Sequence, residues 1–77
     1  MHTFHGTNYT TLRTLTAEAM PDADAEELAM MGVRARTRAL LLGAVDKVDN
    51  YPLRSSYLIL ARACHSLARQ RRAQGSA

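Results

Sequence analysis

The arginines near the end of the chain are the side chains best suited to bind an anionic partner. Residues 50–77 contain five arginines and no acidic residue. A guanidinium group binds carboxylate or phosphate through two parallel hydrogen bonds. On a helix, spacings of three, four or eight residues place most of these cations on one face. We call this set the basic stripe: Arg54, Arg62, His65, Arg69 and Arg72, joined by Arg71. The basic stripe predicts contact with an acidic surface of a partner.

An acidic segment earlier in the chain is the alternative contact surface. It carries the carboxylates of Asp22, Asp24, Glu26 and Glu27. These residues also suit the start of a helix, where the helix dipole favours negative charge. If the partner is itself basic, this acidic block is the better contact candidate. The arginine bias has a second interpretation as well, because a GC-rich genome favours arginine over lysine.

Residue types that act in catalysis or bind metals are present, but their spacing favours neither role. Cys64 and His65 are adjacent, so on a helix their side chains diverge by about 100° and form no nucleophile–base pair. His2 and His5 stand three residues apart and complete no zinc-ligand pattern with them. We therefore expect no enzyme activity, no catalytic residue, no metal site, no cofactor and no small-molecule substrate.

The length and composition of the chain limit what can position these groups. A chain of 77 residues forms one small domain, and its single cysteine excludes an internal disulfide. Self-association is then the common way to add stability, so we expect a homodimer. The longest apolar run, residues 39–45, is far shorter than the roughly 20 residues of a membrane span. With no signal peptide visible, the expected location is the cytoplasm.

The first helix is predicted over residues 8–20, after a flexible arm at residues 1–6. Thr7 or Asn8 suits its N-cap, and the apolar positions that follow have helical spacing. Several threonines in this segment lower its helix propensity, so a strand over residues 9–15 is the competing interpretation.

The second helix is predicted over residues 24–49. Asp24 and Glu27 have the spacing of a capping box. Two sets of apolar residues lie on different sides of this helix, which predicts neighbours on both sides. One neighbour is the third helix, and the other is either the first helix or a second copy of the protein. The two sets are Met30, Val33, Thr37, Leu40, Ala44 and Val48, and then Leu28, Met31, Ala35, Leu42 and Val45.

Small side chains form a further line along the second helix, namely Gly32, Ala35, Ala39 and Gly43. Such a line lets two helix backbones approach closely. It predicts either close packing against the third helix or a symmetric dimer contact.

The third helix is predicted over residues 52–72, with a frayed tail at residues 73–77. Asn50 and Pro52 mark the break before it. Its apolar seam consists of Leu53, Tyr57, Leu60, Cys64 and Leu67. The short connection between two long helices predicts an antiparallel hairpin.

Together these patterns predict an all-α domain that self-associates as a dimeric helical bundle. Its expected role is non-enzymatic: an inhibitor or adaptor that docks on a host or cellular protein. This role is suggested by analogy, because small size and a lack of motifs are typical of such proteins in phages and mobile elements. The alternative is nucleic-acid binding through the basic stripe. Against it, no aromatic residue is expected beside the arginines, because Tyr57 belongs to the seam and Phe4 to the arm.

Overall fold

Three helices make up the part of the chain that the structure describes. The computed structural model describes residues 8–44 and 51–75. Helix α1 spans Tyr9–Ala19, α2 spans Ala25–Ala44 and α3 spans Tyr51–Gly75. The predicted all-α fold with a shorter N-terminal helix is therefore confirmed. The predicted arm at residues 1–6 and the last predicted turn of helix 2, residues 45–49, lie outside the described residues.

Helix α1 forms despite its threonines because local hydrogen bonds satisfy a backbone amide in its first turn and the hydroxyl group of a buried threonine. The Asn8 side chain accepts a hydrogen bond from the Thr11 amide at 2.8 Å and so caps the helix. The buried Thr16 hydroxyl donates to the Leu12 carbonyl at 2.7 Å, within the helix itself. The competing strand over residues 9–15 is wrong, since capping outweighs the weak helix propensity of β-branched residues.

A tight turn at residues 20–24 joins α1 to α2. The Met20 amide donates back to the Thr16 carbonyl, and the Ala23 amide donates to the Met20 carbonyl. The predicted capping box then begins α2: the Glu27 amide donates to Asp24 Oδ1 at 2.8 Å. In return, the Asp24 amide donates to Glu27 Oε1 at 3.2 Å. This reciprocal pair satisfies amides that lack a partner at a helix start.

Helices α2 and α3 pack along each other in opposite directions as a hairpin. Gly32 faces His65 near the middle, Gly43 faces Arg54 at one end, and Leu28 packs with Leu67 at the other. The seam of α3 becomes more buried along its length, from an exposed Leu53 to a buried Cys64 and Leu67. Helix α3 also continues to Gly75, past its predicted end at residue 72.

The core is small and consists mostly of alanine. Only Leu28 and Cys64 are large side chains that are fully buried among the described residues. Short side chains allow the helix backbones to approach closely, but they contribute little apolar area. The buried apolar residues are Ala23, Leu28, Ala35, Ala39, Ala61, Ala63, Cys64, Leu67 and Ala68.

Helix α1 lies beside α3 and runs in the same direction. Arg13 donates from Nε to the Ser66 hydroxyl at 3.2 Å and from Nη2 to the Gln70 side-chain oxygen. Tyr9 reaches Arg62 one turn earlier on α3. The alternative in which helix 1 covers the apolar face of helix 2 that contains Met30, Val33 and Leu40 is wrong, because α1 packs mainly on α3 and these side chains are exposed.

Candidate functional site

Three members of the basic stripe line a pocket with an aromatic residue from α1. Arg62, His65 and Arg69 share this pocket with Tyr9, and we call it the cationic pocket. The Arg62 Cζ atom lies over the Tyr9 ring, 5.6 Å from its centroid, which is within cation–π range. The expectation that no aromatic residue accompanies the arginines is therefore wrong. The spacing in the sequence could not show this, because it depends on how α1 docks against α3.

An apolar groove adjoins the cationic pocket on the α2 side. Leu58 and Ile59 of α3 lie beside Arg36 of α2, and Arg62 and His65 line this groove as well. The groove has a volume of about 590 Å³ and is open to solvent. Sequence analysis did not single out Arg36 or Leu58 for this site. Their contribution arises from the packing of α2 on α3.

The structure separates the other members of the basic stripe from this site. Arg71 points to the turn between α1 and α2, where its Nη1 donates to the Met20 carbonyl at 2.8 Å and to the Ala23 carbonyl. Arg54 lies near the start of α3 against Gly43. Arg72 is exposed in the last turn of α3. Arg71 thus has a clear structural role in holding the turn onto α3.

The line of small residues on α2 faces α3. Gly32, Ala35 and Ala39 are buried, whereas Gly43 is exposed. A Cβ atom on Gly32 would lie 2.7 Å from His65 Nε2, and one on Gly43 would lie 3.1 Å from Arg54 Nε. A symmetric dimer contact through this line would require α3 to move away from α2.

The two glycines offer a matched pair of substitutions. Replacing glycine with alanine in a helix adds about 1 kcal/mol of helix propensity. Gly43→Ala should retain most of that gain, because the Arg54 side chain is exposed and can move away. In Gly32→Ala the half-buried His65 ring must move to make room for the new methyl group, which cancels the gain in helix propensity. This variant should therefore have a free energy of unfolding about 1 kcal/mol lower than the wild type. Urea unfolding of both variants checks this; equal stability would show that His65 is loosely held.

The acidic block lies in the turn before α2 and at the start of that helix, and none of its residues lines the cationic pocket. Asp22, Asp24, Glu26 and Glu27 are all exposed. The last three line an open groove with several methionines and one arginine, Met20, Met30, Met31 and Arg34. Because Asp24 and Glu27 also form the capping box, part of this block stabilises the start of α2.

The predicted apolar face of α2 that begins at Met30 is uncovered in the described part of the chain. Met30 and Val33 are each 49% exposed, Leu40 is 60% exposed and Leu41 is 62% exposed. Together with the exposed Thr37, we call these residues the open α2 face. It lies on the opposite side of the helix from Leu28 and Gly32, since each residue turns the helix by about 100°. Leu41 was not placed on either apolar face from the sequence.

The groups considered for nucleophilic or metal chemistry do not converge among the described residues. Cys64 is fully buried, and burial raises the pKa of its thiol, which disfavours the reactive thiolate. No group of three or more metal-ligating side chains occurs within residues 8–44 and 51–75. His2 and His5 lie outside the described residues.

No protein-family model, curated protein or solved structure matches this chain. None of the described helices has the length and apolarity that crossing a bilayer would require. A functional assignment must therefore come from the two exposed features above, the open α2 face and the surface around Arg62.

Proposed function

We propose that this protein is a non-enzymatic binding module that works as a homodimer and docks on another protein as an inhibitor or adaptor. The observation that carries the proposal is the open α2 face. Four large aliphatic side chains on one side of a helix are about half exposed or more. Contiguous exposed apolar surface of this kind marks sites of protein association.

The spacing on the open α2 face suits a second helix. Met30, Val33, Thr37 and Leu40 alternate in steps of three and four, which is the heptad spacing that lets two helices interlock. A second copy of α2 is a natural occupant, because a domain with so small a core gains stability from self-association. The proposed dimer uses this face rather than the line of small residues, which α3 covers.

The proposed dimer leaves the basic residues of α3 available for a different partner. Arg62 and Arg69 are exposed on α3 and lie outside the open α2 face, whereas Arg36 lies on α2 at the border of that face, one turn from Val33 and Leu40. Such a module would act by covering or bridging the surface of a host or cellular protein. This mechanism is steric and electrostatic, and it requires no catalytic group.

Substitutions on the open α2 face test the dimer. Val33→Glu and Leu40→Glu should each weaken self-association by about 100-fold, since an unpaired charge in an apolar contact costs several kcal/mol. The matched control is Leu15→Glu on α1, where a leucine of similar exposure lies outside that face. Sedimentation equilibrium over a range of concentrations gives the dissociation constants.

The proposed homodimer predicts two further results. The wild type should sediment as two chains at micromolar concentration, and its melting temperature should rise with concentration. If the wild type sediments as a single chain at every concentration up to about 100 μM, the homodimer is ruled out.

Nucleic-acid binding is the second candidate, and the position of Tyr9 favours it. Proteins that bind single strands combine cationic grooves with aromatic rings on which bases stack. If this function holds, unrelated oligonucleotides should bind, with affinity falling steeply as salt rises. Fluorescence anisotropy with a labelled single strand tests it, and a flat signal at low salt would remove this candidate.

A further inference from the structure

We propose that the cationic pocket and the apolar groove together bind an acidic amphipathic helix of the partner protein. This inference rests on the protein-binding role proposed above and names the chemistry of the partner. The two concavities share Arg62 and His65, so they form one continuous surface built from all three helices. One end of that surface is cationic and the other has an aliphatic floor.

The charge of the surface favours an acidic partner. Among the described residues, its lining contains three arginines and a histidine, namely Arg36, Arg62, Arg69 and His65, and no carboxylate. Within the same residues, no ion pair engages these side chains, and Arg62 has only its contact with the Tyr9 ring. An incoming carboxylate would therefore meet guanidinium groups that no carboxylate of residues 8–44 and 51–75 neutralises.

The spacing of the cations suits a helical partner. Arg62, His65 and Arg69 lie along one row of α3, separated by three and four residues. At 1.5 Å per residue, they stand about 4.5 and 6 Å apart along the helix axis. Glutamates at the same three- and four-residue intervals on a helix lying alongside α3 would come within reach of all three.

The apolar groove favours a protein over a nucleic acid. Leu58 is partly exposed on the groove floor, next to the half-buried Ile59. A leucine from an amphipathic helix can bury its side chain there, whereas a phosphate backbone has no matching group. Arg62 already covers one face of the Tyr9 ring, which leaves only the other face for stacking on a base.

The probe is a fluorescein-labelled synthetic helix with leucines along one face and glutamates bordering that face. Fluorescence anisotropy at low salt should show saturable binding to the wild type. Arg62→Glu should weaken it by at least about tenfold, because an attractive pair becomes a repulsive one. Leu58→Gln should weaken binding as well. Arg38→Glu, the matched control, changes the net charge equally on a different face of α2 and should shift the affinity by less than about twofold.

Three results would overturn the inference. They are no binding of the acidic helix, a loss of affinity with Arg38→Glu as large as with Arg62→Glu, and tighter binding of a labelled single-stranded oligonucleotide at the same site. The last result would assign the surface to nucleic acid. Circular dichroism and urea unfolding of each variant show whether a loss of binding reflects a loss of fold.

The failure of this inference can be told apart from the failure of the dimer. Arg62 lies on α3 and is not part of the open α2 face, so Arg62→Glu should sediment as the wild type does. If self-association persists while the acidic helix does not bind, only the identity of the partner is wrong. If the acidic helix binds to a chain that stays monomeric, only the homodimer is wrong.

Discussion

Leu28→Ala should lower the free energy of unfolding by about 2–5 kcal/mol, which is the expected cost of removing a fully buried leucine side chain. Leu28 is completely buried and packs with Ala23, Leu67 and Ala68 where all three helices meet. Its neighbours are mostly alanines, whose short side chains cannot move into the space left behind. The cost should therefore fall in the upper part of this range.

Urea unfolding followed by circular dichroism measures the effect of Leu28→Ala. The matched control is Leu15→Ala on α1, where the leucine is 55% exposed, and it should change stability by less than about 0.5 kcal/mol. Small domains have few kcal/mol of stability in total, so Leu28→Ala is expected to be partly unfolded at 37 °C. Equal stability of the two variants would show that the contact of α2 with the end of α3 is not the core of this protein.

Arg71→Ala should lower the free energy of unfolding by about 1.5–3 kcal/mol, the range for hydrogen bonds made by charged groups. The Arg71 guanidinium donates to the carbonyls of Met20 and Ala23 and so ties the turn between α1 and α2 to α3. Without it, both carbonyls lose a donor in a part-buried setting. Arg71→Lys should restore part of the loss, because a lysine retains the charge but not the planar donor geometry.

Arg69→Ala is the control for this effect. Arg69 lies two residues earlier, is exposed and should contribute less than about 0.5 kcal/mol to stability. The two arginines should also separate in the anisotropy assay with the acidic helix. Arg69→Ala should weaken binding of the folded protein, whereas Arg71→Ala should affect stability and leave the affinity of the folded fraction unchanged. An Arg71→Ala variant as stable as Arg69→Ala would contradict the structural role.

The two stability predictions concern one end of the hairpin, and this location matters for the binding experiments. Leu28, Leu67 and Arg71 hold the turn, α2 and α3 together there. The residues of the open α2 face and Arg62 take part in none of these contacts and are largely exposed. Substitutions on those surfaces can therefore test binding without removing the contacts that maintain the fold.

The helices and their starting points could be predicted from the residues alone. Asn8 caps α1, and Asp24 and Glu27 form the capping box of α2, as their positions in the chain indicate. The caps depend on hydrogen bonds between residues that are close in the chain, so short patterns are enough to specify them. The apolar seam of α3 is confirmed only in part, because Cys64 and Leu67 are buried whereas Leu53 is 48% exposed.

The composition of the binding surfaces depended instead on how the helices dock. Tyr9 contacts Arg62, Arg36 joins the apolar groove, and Arg71 leaves the basic stripe to hold a turn. The open α2 face has a period that suits a neighbouring helix, yet α1 lies on α3 and leaves that face exposed. Helical spacing specifies which side chains share a face. Which face meets which is set by the fit of side chains far apart in the chain, and no local pattern contains that information.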